Sequence, residues 1–106
     1  MIVVNRFRVP EVEQTAFRED LERARQTLAV QRGFVRSNMG RNVDDPELWV
    51  LTTEWEGPGA YRRALSAYDV KLTAVPTLSR ALDEPSAYEP VEPGSELNRP
   101  EARSLG

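Results

Sequence analysis

Few side chains in this sequence can carry acid–base or redox chemistry. The 106 residues include no histidine and no cysteine, so the commonest general base, the usual haem ligands and every thiolate nucleophile are missing. Serine–histidine–aspartate and cysteine–histidine catalysis are therefore excluded. Tyrosine, arginine, asparagine and the carboxylates remain as candidates for moving protons and for stabilising negative charge.

Asn5 is a polar residue within an apolar segment. Residues 2–9 alternate as a strand, which places Asn5 on the same face as Phe7 and Val9. A buried amide costs free energy unless it is hydrogen-bonded. Its partner could be neighbouring backbone or water, or it could be an oxygen atom of a bound substrate. The second alternative makes Asn5 a candidate catalytic residue.

Arginines on the predicted strands could hold an anionic oxygen. The first candidate is Arg36, which would stabilise a developing oxyanion together with Asn5. The same role is open to Arg6, Arg8 and Arg41. The alternative is a solvated or ion-paired face, which the 17 acidic residues against 14 basic ones favour. Three carboxylates in the turn at residues 42–47 are typical of a solvated loop, so we expect no metal site.

Aromatic residues recur at spacings that could build the wall of a cavity. Trp49 and Trp55 share a strand face in the segment LWVLTTEW. Tyr61 and Tyr68 are seven residues apart in a predicted helix, which places them on one helix face. Tyr61 would then pack against a ring system and Tyr68 would move a proton. The remaining candidate substrate-binding residues are Phe7, Phe17 and Leu21. Ordinary core packing is the alternative for all of these apolar and aromatic residues.

The segments that carry these side chains predict a sheet with helices packed against one face. The periodic segments are a strand (2–9), a helix (12–31) and two strands (34–41 and 48–55). A helix (60–68), a further helical stretch (70–81) with a kink or division into two short helices at Pro76, and a strand (86–91) follow. This order predicts an α+β, ferredoxin-like antiparallel sheet. The other face of the sheet would expose apolar side chains, so we expect a second copy to cover it in a homodimer.

Composition excludes several classes of partner. The net charge of −3 and the absence of a basic stretch argue against a nucleic-acid partner. No apolar run approaches the length of a membrane span, and the start MIVVNRFRV is too short and charged for a signal peptide. We therefore expect a cytoplasmic protein with no membrane partner. The expected domain is 1–91, followed by a polar tail (92–106) that is disordered or lies on the partner chain.

The segment GFVRSNMGRNVDDPELWVLTTEWEGPGAYRRAL resembles the antibiotic biosynthesis monooxygenase family, whose fold is the dimeric α+β barrel. An aromatic residue follows a glycine, a polar strand leads to a D-P-E turn, and the next strand ends in T-x-W. The first strand and the final SAYEPV also fit. The resemblance implies a cavity between the sheet and the helices. It also implies a monooxygenase that oxidises an electron-rich aromatic, quinol- or anthrone-like molecule with O2, without metal or flavin.

Two alternatives to this activity follow from the same resemblance. The first is a non-catalytic protein that binds a small aromatic molecule on the same fold. The second is a haem-binding relative, because one branch of the family degrades haem with an asparagine, a tryptophan and a histidine ligand. Asn5 matches that asparagine, but Ala64 stands in place of the tryptophan and Ala74 in place of the histidine. Haem would then need a tyrosine, Met39 or water as its axial ligand, and we expect no cofactor.

Overall fold

The computed structural model describes residues 1–97 and contains one antiparallel sheet with helices packed against one face. The strands are β1 (Ile2–Arg8), β2 (Phe34–Arg41), β3 (Leu48–Trp55) and β4 (Ala87–Tyr88). The helices are α1 (Gln14–Ala29), α2 (Pro58–Ser66), α3 (Tyr68–Thr73) and α4 (Val75–Leu78), and a 3-10 turn covers Glu11–Glu13. The strand order β2-β3-β1-β4 is that of the ferredoxin-like α+β fold predicted from the sequence.

Side chains alternate along β1 and β3, so one side of the sheet packs against the helices and the other side does not. Val3 and Phe7 of β1 and Leu51 and Trp55 of β3 are buried against the helices. The even-numbered residues of both strands point to the other side, where they are only partly covered or exposed. We call these sides the helix-facing side and the open face.

Helix α1 supplies much of the core through one apolar stripe. Phe17, Leu21, Ala24 and Leu28 are all buried, and their spacing of three and four residues places them on one side of the helix. The chain then turns at Gly33, whose φ of 88° is a left-handed conformation that glycine adopts without steric cost.

The helical region after Gly57 has one break that was expected and one that was not. We expected a kink or two short helices at Pro76, and the chain does divide there: α3 ends at Thr73, and Pro76 lies in the first turn of α4, where its missing N–H removes no helical hydrogen bond. The second break, at Ala67, which is extended with ψ of 141°, was not expected. The Ser66 hydroxyl donates to the Arg62 carbonyl at 3.1 Å, a local bond that competes with helix continuation.

The C-terminal part of the chain contains less regular secondary structure than predicted. Strand β4 covers two residues rather than 86–91, and Tyr88 and its neighbours are exposed. The predicted tail falls largely on residues 98–106, which lie outside the described part of the chain. Within residues 1–97, no helix has the length and apolar character needed to cross a membrane.

Candidate functional site

Asn5 and Tyr61 form a polar pair on the helix-facing side of the sheet. Asn5 lies opposite Leu51 in the β1–β3 pairing, and Tyr61 reaches it from α2. Burial raises the pKa of Tyr61 above its ordinary value of 10.0, although a hydrogen bond with the Asn5 side chain opposes part of that shift. Tyr61 is therefore a phenol at neutral pH and acts as a hydrogen-bond donor rather than as a base. Both side chains keep part of their surface accessible.

Trp55 forms an aromatic wall beside this pair. Its ring lies 5.4 Å from Tyr61 on one side and 5.4 Å from Phe34, edge-on, on the other. The Trp55 indole Nε1 donates to the Thr53 hydroxyl at 2.8 Å, and this bond is fully buried. The hydrogen bond fixes the indole, so the wall has one defined orientation.

The start of α2 places Tyr61 against the sheet. Glu56 donates its backbone N–H to the Gly33 carbonyl at 2.8 Å, which ties the end of β3 to the turn after α1. A Cβ at Gly33 would overlap the Ala60 Cβ. Because glycine has no Cβ, α2 can pack directly against the backbone at position 33, which a side chain there would prevent. Pro58 begins the helix. Tyr61 follows one residue after the Ala60 contact.

The structure separates Arg36 from Asn5. Arg36 pairs with Glu54 across β2 and β3, and its side chain forms an ion pair with that residue at 3.3 Å on the open face. Asn5 pairs with Leu51 and faces the helices. Their partners Leu51 and Glu54 are three positions apart in β3 and therefore point to opposite sides of the sheet. The prediction that Arg36 and Asn5 share one site within a protomer is therefore wrong.

Tyr68 is also apart from the Asn5–Tyr61 pair. We predicted one continuous helix that would bring Tyr61 and Tyr68 onto the same face. The break at Ala67 makes Tyr68 the first residue of α3, and it is 79% exposed. The shared-face prediction is therefore wrong, and Tyr68 stands at the surface rather than beside Asn5.

The other predicted binding residues divide between the closed core and a cleft. Phe7, Phe17 and Leu21 have no accessible surface, with the two phenylalanine rings 5.1 Å apart. Trp49 makes an edge contact with Phe17 at 5.8 Å and also lines a cleft between α1 and β2. The structure thus brings Tyr61 to Asn5 and Trp55 to Tyr61, and it places Phe7, Phe17 and Leu21 in the closed core.

Two residues near these aromatic groups were missed from the sequence. Thr53 holds the Trp55 indole, and strand alternation could have revealed it because the two residues are two positions apart on one face. Arg80 lies with its guanidinium group 5.0 Å from the Phe17 ring and pairs with Glu13 at 3.1 Å. No periodicity in the sequence points to Arg80, because it follows the short helix α4.

Comparison with known proteins places the chain in a family. The family model for antibiotic biosynthesis monooxygenases matches residues 1–74, which include β1, β3 and α2 and therefore Asn5, Trp55 and Tyr61. The chain belongs to the antibiotic biosynthesis monooxygenase family. The resemblance inferred from the sequence is confirmed. No curated protein matches the sequence of this family member.

Solved structures agree with this membership of the antibiotic biosynthesis monooxygenase family. SnoaB, described as a cofactor-independent oxygenase from Streptomyces nogalater, is 29% identical over 76% of this chain and 80% of its own, with a TM-score of 0.66. A protein from Deinococcus radiodurans aligns over 92% of this chain and 100% of its own with a TM-score of 0.70 at 17% identity. Rv0793 from Mycobacterium tuberculosis aligns over 89% and 97%, with a TM-score of 0.69 at 16% identity. The last two likenesses concern the fold alone.

Proposed function

We propose that this protein is a cofactor-independent monooxygenase that oxidises an electron-rich phenolic or anthrone-like molecule with O2. Family membership supports the reaction class, and the description of SnoaB, 29% identical, supports the absence of a cofactor. The observation that carries the assignment is the Asn5–Tyr61 pair beside the fixed Trp55 ring. It combines two polar groups suited to a phenolic oxygen with an aromatic surface suited to the attached ring.

The substrate supplies the reducing power in this reaction. A phenol or anthrone that loses a proton becomes an electron-rich anion that can pass an electron to O2. For an anthrone-type CH2 group, one oxygen atom enters as a new carbonyl, and the other leaves as water with the two hydrogens of that carbon. The four electrons removed from the substrate are those that O2 accepts.

Asn5 and Tyr61 would stabilise the substrate anion. The Asn5 amide N–H and the Tyr61 hydroxyl are both donors, and donors placed where charge develops lower the barrier to forming an anion. Tyr61 keeps its proton because its pKa is raised, so it remains a donor throughout the neutral range. The chain has no histidine, and the proton therefore passes to water or to another oxygen of the substrate.

The proposed enzyme works as a homodimer joined through the open face. That face carries partly buried apolar side chains, among them Val4 and Val50, whose partners in the β1–β3 pairing are Thr52 and Arg6. Three ion pairs involve residues of this face, namely Arg6–Glu84 at 2.7 Å, Arg8–Asp45 at 3.0 Å and Arg36–Glu54 at 3.3 Å. Protein interfaces combine apolar with polar contacts, and a second copy of the same face would cover these apolar side chains.

Oxygen uptake tests the proposed activity. Purified protein would be supplied with anthrone or a hydroquinone and no added cofactor, beside a heat-inactivated sample and the Asn5→Ala variant. We expect uptake that depends on folded protein and falls about 100-fold in Asn5→Ala, the loss typical of removing one oxyanion donor. Uptake equal to autoxidation with every such substrate would reject the oxygenase. Saturable thermal stabilisation by the same molecules without uptake would assign a binding protein instead.

A further inference from the structure

A cleft between α1 and β2 is separate from the Asn5–Tyr61 pair. Its volume is about 500 Å³, within the usual range for small-molecule sites. The first turns of α1 form one side, and Met39, Gly40 and Arg41 of β2 form the other. Trp49 lines it from β3. Neither Asn5 nor Tyr61 lines it, and Phe7, two positions after Asn5 on β1, is fully buried against Phe17.

Among residues 1–97, the side chains that line the cleft carry two positive charges and no carboxylate. Arg18 and Arg41 both contribute to it, together with the side-chain amide of Gln14. Along α1, Glu22 shares an adjoining depression with Arg18, but Glu22 is engaged by Arg25 through charged hydrogen bonds. A cleft with this balance favours an anionic ligand.

Arg41 is held in a position from which it can receive that anion. Its guanidinium group lies 5.8 Å from the centre of the Trp49 ring and donates to Gln14 Oε1 at 2.7 Å. A guanidinium group has five N–H donors, so most of those on Arg41 remain for a ligand. Arg18 has neither an ion pair nor a hydrogen bond within residues 1–97, so its charge is also available there.

Trp49 contributes a donor that lacks a partner. The residue is 8% exposed, and its indole Nε1 is buried without a hydrogen bond in the part of the chain that is described. A buried donor of this kind is rare in folded proteins and costs free energy. The Trp49 ring and the apolar Met39 line the cleft beside the two arginines, and together they suit the body of a flat molecule.

We infer that this cleft is a second ligand site, which binds a planar aromatic carboxylate between Arg18, Arg41 and Trp49. The carboxylate accepts hydrogen bonds from the two guanidinium groups, a charge-assisted pairing that arginine forms well. The aromatic body packs against Trp49 and Met39. This site is independent of the proposed oxygenase activity, because it uses none of the residues assigned to oxygen chemistry.

The test is a titration of the full chain with 2-naphthoate, followed by ¹⁵N NMR of the indole N–H groups. The chain has two tryptophans, so the spectrum contains two such signals, and Trp55→Phe assigns them. We expect the Trp49 signal to shift saturably while the Trp55 signal stays in place. The neutral isostere 2-naphthamide should bind at least about tenfold more weakly, because it lacks the charge.

Variants identify the cations. Arg41→Gln and Arg18→Gln should each weaken naphthoate binding about tenfold or more. Arg62→Gln is the matched control, because Arg62 is exposed on α2, away from the cleft. Circular dichroism confirms that each variant is folded, and calorimetry on the unmodified chain gives the affinity independently of Trp55→Phe. The inference is overturned by an unmoved Trp49 signal, by equal binding of the amide, or by Arg41→Gln binding as tightly as Arg62→Gln.

Discussion

Asn5 and Arg36 lie on opposite faces of the same sheet. Asn5 pairs with Leu51 and faces the helices, whereas Arg36 pairs with Glu54 and forms an ion pair on the open face. An exposed ion pair of this kind contributes little to stability. We therefore expect Arg36→Gln to change kcat/KM for oxygen uptake by less than about threefold, against about 100-fold for Asn5→Ala. A loss in Arg36→Gln comparable to that in Asn5→Ala would show that the open face takes part in the reaction.

Tyr61 and Tyr68 provide a matched pair for testing the hydroxyl group. Tyr61 contacts Trp55 and Asn5, while Tyr68 is 79% exposed on α3. Tyr61→Phe should reduce kcat/KM about 10- to 100-fold, because a hydrogen bond to a charged oxygen is lost. Tyr68→Phe should leave it unchanged. Steady-state oxygen uptake measures both, and equal effects of the two substitutions would contradict the assignment.

The raised pKa of Tyr61 predicts a stability loss in alkali. The folded chain holds this proton more tightly than the unfolded chain, where the pKa is near 10.0. The contribution to the free energy of unfolding is thus complete below pH 10.0 and is lost as the pH rises through the folded pKa. Urea unfolding of the wild type and Tyr61→Phe on both sides of pH 10.0 should show the wild type losing more stability. A difference between them that does not vary with pH would contradict this expectation.

Gly33 combines a left-handed backbone with close packing against α2. A Cβ there would overlap Ala60, and φ is 88°. Gly33→Ala should lower the free energy of unfolding by about 2–4 kcal/mol, since backbone strain and overpacking add. Gly94→Ala is the control, because Gly94 has a φ of 85° but a Cβ added there would meet no atom within 4 Å. Denaturant unfolding should separate the two, and equal losses would remove the packing explanation.

The open face should control association. Val50 is one of the partly buried apolar residues of that face, opposite Arg6 in the β1–β3 pairing. Val50→Lys introduces a charge that a symmetric interface would bury twice, at high cost in free energy. Light scattering should give twice 12.0 kDa for the wild type and 12.0 kDa for the variant. A wild-type mass of 12.0 kDa at micromolar concentration would exclude the homodimer.

The sheet was predictable because its strands follow simple patterns. Alternation in LWVLTTEW placed Trp49 and Trp55 on one face, and the four-residue spacing from Phe17 to Leu21 defined the buried side of α1. The same patterns placed Asn5 on the helix-facing side. Alternation could not predict which side of the sheet the Arg36 side chain occupies. A register shift between Phe34 and Arg36 interrupts the alternation of β2 at that point.

The position of Tyr68 was not predictable for a different reason. Proline is a helix breaker that can be recognised in a sequence, and the division between α3 and α4 was expected from Pro76 for that reason. The break at Ala67 falls at a residue with strong helix propensity; it coincides with the hydrogen bond from Ser66 to the Arg62 carbonyl and with the packing of α2 and α3 on the sheet and α1. Arg80 likewise depends on tertiary packing for its contacts with Phe17 and Glu13.

The contact between Tyr61 and Trp55 gives the candidate site its own optical signal. Their rings lie 5.4 Å apart, and the hydrogen bond from Trp55 to Thr53 keeps the indole still. An excited tyrosine this close passes its energy to the indole, and a phenolate or a quinone next to the indole quenches its emission. In a Trp49→Phe variant, where Trp55 is the one remaining tryptophan, we expect this emission to report binding of the proposed substrate and formation of its product in real time, separately from the consumption of oxygen.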